Sequence, residues 1–144
     1  MTEGIVLVVR RTIRASAERL FDAWTRPDQL RVWWGPRPVT CSGAEVDLRV
    51  GGRYWIANAL PDGSTVVIEG EFREIQRPLK LVYTWRMGQT SQESSLVTVR
   101  FEARHEGTDV IVVHENVPTA DVRESHEKGW NGCLDGLTTF FVGG

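Results

Sequence analysis

Hydrophobic and polar residues alternate with period two through most of the chain, and three stretches break that pattern toward a helical period. Residues 5–14, rich in Ile, Val and Leu, read as a first strand. Ser16 is a good helix N-cap, and Glu18 in the first turn suits the helix dipole. Leu20, Phe21 and Trp24 then follow at helical spacing. Pro27 opens a second short helix with Leu30, Trp33 and Trp34 on its apolar side, and Gly35-Pro36 ends it.

From residue 39 to residue 116 the pattern is nearly all strand. The spans 39–48 and 53–60 are closed by Gly51-Gly52 and Pro61-Asp62-Gly63, and the span 65–75 contains Gly70, read as a bend or bulge. Residues 79–87 place Leu81, Tyr83 and Trp85 on one face. Val97, Val99 and Phe101 share a face on the next strand, and Val110, Val112 and His114 on the last. The breaks are a few residues long, so antiparallel hairpins are the natural connection.

Pro118 then precedes one long helix over about residues 120–141, with Asp121 and Glu124 in capping-box spacing. Val122, His126, Trp130, Cys133, Leu134, Leu137, Phe140 and Phe141 fall in one wide arc, with Glu124, Lys128, Asn131, Asp135 and Thr139 opposite. Gly129, Gly132 and Gly136 border the arc. Each costs a helix about 1 kcal/mol relative to Ala, so three together point to close backbone approach. The order strand, two short helices, six strands and long helix is α+β. A curved antiparallel sheet of about seven strands can cover so amphipathic a helix only by curling around it, the helix-grip fold. Side chains cannot always fill such a grip, so a cavity between sheet and helix is expected.

Composition narrows the picture. The 144 residues fit a single domain spanning the chain, and a net charge of −2 with no basic patch argues against nucleic acid. The N-terminal apolar run, Ile5 to Val9, is flanked by charges in the reverse order of a signal peptide, and no stretch approaches a membrane span. Cys41 and Cys133 have no partner spacing, so reduced thiols and a cytoplasmic location are expected.

The ordered motifs resemble a known group. The segment Ile13 to Pro27 (IRASAERLFDAWTRP) resembles the opening of the START-related superfamily, which includes the birch-pollen allergen and the polyketide cyclases. WWGP at 33–36, DLRVGG at 47–52, TDVIVVH at 108–114 and Gly129-Trp130 with Leu134 and Leu137 resemble the branch named for activators of the heat-shock protein 90 ATPase. The resemblance covers about residues 5–141. It implies the helix-grip fold and often a hydrophobic pocket under the last helix, but not one activity: members of the superfamily bind or transport lipids, cyclise polyketides, or act in stress and resistance. The eukaryotic co-chaperones carry a separate chaperone-binding domain, for which 144 residues leave no room.

No nucleophile elbow, Walker loop, Cys-x-x-Cys pair or His-Glu-x-x-His helix is present, and no metal or cofactor is expected. Of the three histidines, His105 lies in a hairpin turn and reads as solvated. His114 and His126 point from the last strand and the last helix toward one end of the cavity, either as a hydrogen-bonded core pair or as ligand-orienting or acid–base groups. The aromatic residues Trp33, Trp34, Tyr54, Trp55, Tyr83, Trp85 and Trp130 are core, or combine apolar bulk with a polar tip in a pocket wall. The candidate ligand site is Trp34, Trp55, Tyr83, Trp85, His114, His126, Trp130 and Cys133, the last read chiefly as packing. The leading expectation is a non-enzymatic binder of a small hydrophobic, lipid-like or aromatic ligand. An enzyme of polyketide-cyclase type using a pocket histidine, and a chaperone-assisting module, are the alternatives. A homodimer through a sheet edge or exposed aromatics is left open.

Overall fold

Alternation gives each strand one buried and one exposed face, and the ladder joins those faces into a single concave wall. The computed structural model describes residues 5–35, 39–87 and 95–142. Its elements are β1 (Ile5–Ile13), α1 (Ala17–Thr25), α2 (Pro27–Trp33), β2 (Thr40–Val46), β3 (Arg53–Ala59), β4 (Thr65–Gln76), β5 (Lys80–Met87), β6 (Ser95–Arg104), β7 (Gly107–Val117) and α3 (Ala120–Val142). The seven strands form one antiparallel sheet in the order β1-β7-β6-β5-β4-β3-β2. β1 and β2 are therefore opposite edges, and α1 and α2 carry the chain from one to the other. The curved sheet and the long last helix form the expected helix grip. Pro36, expected to end α2, lies outside the described residues. Among the described residues no helix is long and apolar enough to cross a membrane.

Local chemistry explains most boundaries. The Ser16 hydroxyl accepts from the Arg19 N–H at 3.2 Å and caps α1. α3 begins at Ala120, as the pattern predicts, but its cap lies two residues before the acidic pair: Thr119, not Asp121, accepts from the Val122 N–H at 3.1 Å. Gly70 is not the bulge. The ladder runs through it opposite Tyr54, and the register shifts between Phe72 and Glu74 instead. A Cβ at Gly70 would collide with the Thr84 carbonyl and the Tyr54 ring, whose hydroxyl crosses that space to donate to Thr84 O at 2.7 Å. Gly70 thus permits the close approach of the Thr84 carbonyl and the Tyr54 ring.

The core lies between the concave face, α1 and α3. Phe21, Phe101, Leu81, Leu134 and Leu137 are without exposure, and each contributes roughly 1.5–3 kcal/mol by its burial. The helix leans toward one edge. Arg11 on β1 donates to the Asp135 carboxylate at 2.7 Å and to Asn131 O at 3.5 Å, and Arg123 donates to Val6 O at 3.4 Å. Trp130, Cys133 and Leu137 are buried as expected, and Glu124, Lys128 and Asp135 face solvent. Val122 and Phe140, expected to be buried, are only half covered, because they lie near the two ends of the helix.

Candidate functional site

Because α3 leans toward β1, it stands away from the opposite half of the sheet. The gap is a cleft of about 1330 Å³, larger than the ~300–1,000 Å³ of ordinary ligand pockets. Its sheet wall includes Cys41, Asn58, Val66, Ile68 and Trp85, and its helix wall His126, Gly129, Trp130, Cys133 and Gly136. Exposed Arg31, Val32 and Lys128 flank the mouth.

Indoles build the floor. Trp24 stacks on Trp130 with centroids 6.1 Å apart, Trp34 meets Trp130 edge-on at 5.6 Å, and Trp85 lies 5.2 Å from Trp130. Their N–H groups are anchored: Trp24 to the Tyr83 hydroxyl at 3.1 Å, Trp33 to Ala23 O at 2.8 Å, and Trp34 to Asn58 Oδ1 at 3.1 Å. Asn58 in turn donates to Val66 O at 3.4 Å. The indole N–H of Trp85 is the exception, the one buried side-chain polar atom without a partner among the described residues.

His114 has a fixed proton arrangement. Trp130 Nε1 lies 3.1 Å from His114 Nδ1, and an indole nitrogen can only donate, so Nδ1 accepts. The proton of the neutral ring therefore sits on Nε2 and is donated to Ser95 Oγ at 2.6 Å, and that hydroxyl donates to Trp85 O at 3.3 Å. Protonating Nδ1 would oppose two donors. Burial, helped by the nearby His126, pushes the His114 pKa down to about 3. His114 is thus a neutral strut with both nitrogens in use.

His126 differs. It is half-buried and stacks on His114 with centroids 4.7 Å apart and planes 12° from parallel. Trp85 stands edge-on to it at 6.0 Å. Burial lowers its pKa, so the ring facing the cleft is held toward its neutral form. Among the described residues it has no hydrogen-bond partner. The Cys133 thiol is pushed up to about 12 by burial, so it acts as a small apolar group rather than a thiolate. Among the described residues no three His, Cys, Asp or Glu side chains are grouped so as to hold a metal ion.

Of the residues singled out from sequence, Trp34, Trp85, His126, Trp130 and Cys133 line the cleft. His114 lies behind His126, fully buried. Tyr83 lies deeper still, packed edge-on against Tyr54 at 5.1 Å. Trp55 must be corrected. Tyr54 and Ile56 face inward on β3, so Trp55 between them faces outward, over Gly43 of β2. Asn58 and Ser95 were missed, although each is polar at an inward position of its strand, the one signal that marks a buried hydrogen-bonding group.

The family model described as Activator of Hsp90 ATPase homolog 1-like protein matches residues 14–141. Solved structures agree over nearly the whole chain. A protein from Chromobacterium violaceum has a TM-score of 0.85 at 26% identity, covering 93% of this chain and 94% of its own. The AHSA1-like protein from Aeromonas hydrophila has a TM-score of 0.80 at 25% identity, covering 94% and 91%. The AHSA1 protein from Silicibacter pomeroyi, at 21% identity, shares the fold with a TM-score of 0.86 and covers 96% and 98%. The comparison with curated proteins finds no match. Motifs, sheet order and long last helix agree with that match, and the chain belongs to the family of Activator of Hsp90 ATPase homolog 1-like proteins.

Proposed function

We propose that this protein binds a small hydrophobic molecule, lipid-like or aromatic, in the cleft between α3 and the β2–β5 half of the sheet, without chemically changing it. The observation that carries this reading is a floor of indoles under an open volume, whose N–H groups, that of Trp85 excepted, are already paired. An apolar guest would release water from that floor at roughly 25 cal/mol per Å². An enzyme would need a proton-transfer group within reach of a second polar group. Both nitrogens of His114 are occupied, so an enzyme would have to rely on His126, whose described neighbour in the cleft is the Trp85 indole rather than a second acid or base. A chaperone-assisting module would need a contiguous apolar patch. The exposed large apolar residues among those described, Val6, Val8, Val32, Leu48, Val50, Trp55, Leu79 and Met87, are instead spread over β1, α2, β3, β5 and two separate turns.

Titration with the neutral probe N-phenyl-1-naphthylamine tests the proposal. Saturable probe enhancement is expected in the wild type. Cys133→Trp, which fills the cleft from its helix wall, should abolish it while the far-UV spectrum stays unchanged. Equal binding by a folded Cys133→Trp variant would refute the assignment.

A further inference from the structure

We infer, resting on the cleft-binder reading above, that the apolar guest carries a neutral hydroxyl or carbonyl group that hydrogen-bonds to His126. The polar inventory of the cleft leads there. Trp34, Asn58 and Trp130 spend their hydrogen bonds on one another, on Val66 O or on His114, and the Cys41 thiol donates to Gly43 O at 3.4 Å. His126 lines the cleft with no partner among the described residues. Its neighbour Trp85, 6% exposed, has the one buried N–H left unpartnered among those residues. Apart from Arg31, Thr40, Ser125 and Lys128, which are exposed to water, the unmet hydrogen-bonding capacity of the lining therefore gathers at this end.

The stack on His114 holds the His126 ring plane. A neutral imidazole presents one N–H and one lone pair. A hydroxyl matches both, and a carbonyl oxygen matches the N–H. A carboxylate could accept from the same N–H, but its charge would leave water with no cation beside it at this depth. The cations of the lining, Arg31 and Lys128, are exposed at the mouth. A head group that selects His126 is thus neutral.

The test uses guests with one body: naphthalene, 2-naphthol and 2-naphthoate, each displacing N-phenyl-1-naphthylamine. For the wild type, 2-naphthol should bind roughly tenfold tighter than naphthalene, and tighter than 2-naphthoate. His126→Phe, which keeps a flat ring on His114 but removes both nitrogens, should erase that preference and leave naphthalene binding intact. Lys128→Gln should leave the ranking unchanged. If 2-naphthoate binds most tightly and loses its advantage in Lys128→Gln, or if 2-naphthol gains nothing over naphthalene, the inference is overturned while the cleft-binder reading survives. If none of the three displaces the probe, both fall. The wild-type ranking decides the matter even if His126→Phe does not fold.

Discussion

Along β1, α3 is fastened by Arg11 to Asp135 and Asn131 and by Arg123 to the Val6 carbonyl, whereas opposite β2, β3 and β4 it stands off across about 1330 Å³. The inward residues of β1, Leu7 and Val9, are of ordinary size and let the helix settle close. On the other side Trp24, Trp34 and Trp85 crowd around Trp130 and hold the helix away from the sheet. One sheet with one alternation thus gives a closed half and an open half, and the size of the side chains between helix and strands decides which is which.

The largest expected effect comes from the strut on which the open half rests. His114→Leu leaves the Trp130 N–H and the Ser95 hydroxyl without their partner, and should cost about 2–4 kcal/mol in urea unfolding at pH 7. The wild type should also respond to acid through this residue. In the unfolded chain a histidine accepts a proton as the pH falls past 6.5, but folded His114 refuses one until about 3. Its contribution is therefore complete above pH 6.5 and drains as the pH falls from 6.5 toward 3, at no more than about 1.4 kcal/mol per pH unit. Unfolding curves at pH 7, 6 and 5 should show a shallower loss in the His114→Leu variant than in the wild type.

Two helix glycines sharpen the comparison further. A Cβ at Gly136 would strike the Trp33 carbonyl, whereas one at Gly129 meets nothing within 4 Å because it faces the cleft. Gly136→Ala should destabilise by about 2 kcal/mol. Gly129→Ala should stabilise by about 1 kcal/mol through helix propensity, raising the melting temperature by about 3 °C. Destabilisation by Gly129→Ala would mean that α3 is closed down where the cleft stands open. The smallest effect belongs to the clasp on β1: Arg11→Ala removes a pair whose Asp135 side is 72% exposed, and should cost about 0.5 kcal/mol, less in high salt.

The architecture was legible because period and phase carry it. The alternation of Leu81, Tyr83 and Trp85 and the arc from Trp130 to Leu137 name inward residues without reference to anything distant. Trp55 was legible too, since adjacent Tyr54 and Trp55 cannot face the same way and Ile56 settles the phase. The cleft was not. Gly129 and Gly136 border the same apolar arc, and only the crossing of α3 over α2 makes one a contact and the other a wall of open space. Nor could sequence give the tautomer of His114, which depends on Trp130 and Ser95 arriving from different elements.

The indole N–H signals of a nitrogen-15 spectrum test the central claim most directly, because the six tryptophans divide between cleft, core and outer face. On titration with N-phenyl-1-naphthylamine, the signals of Trp34, Trp85 and Trp130 should shift together along one saturation curve, while that of outward-facing Trp55 stays fixed. A Trp55 signal that moves while those three remain still would place the binding surface on the convex face and contradict the account.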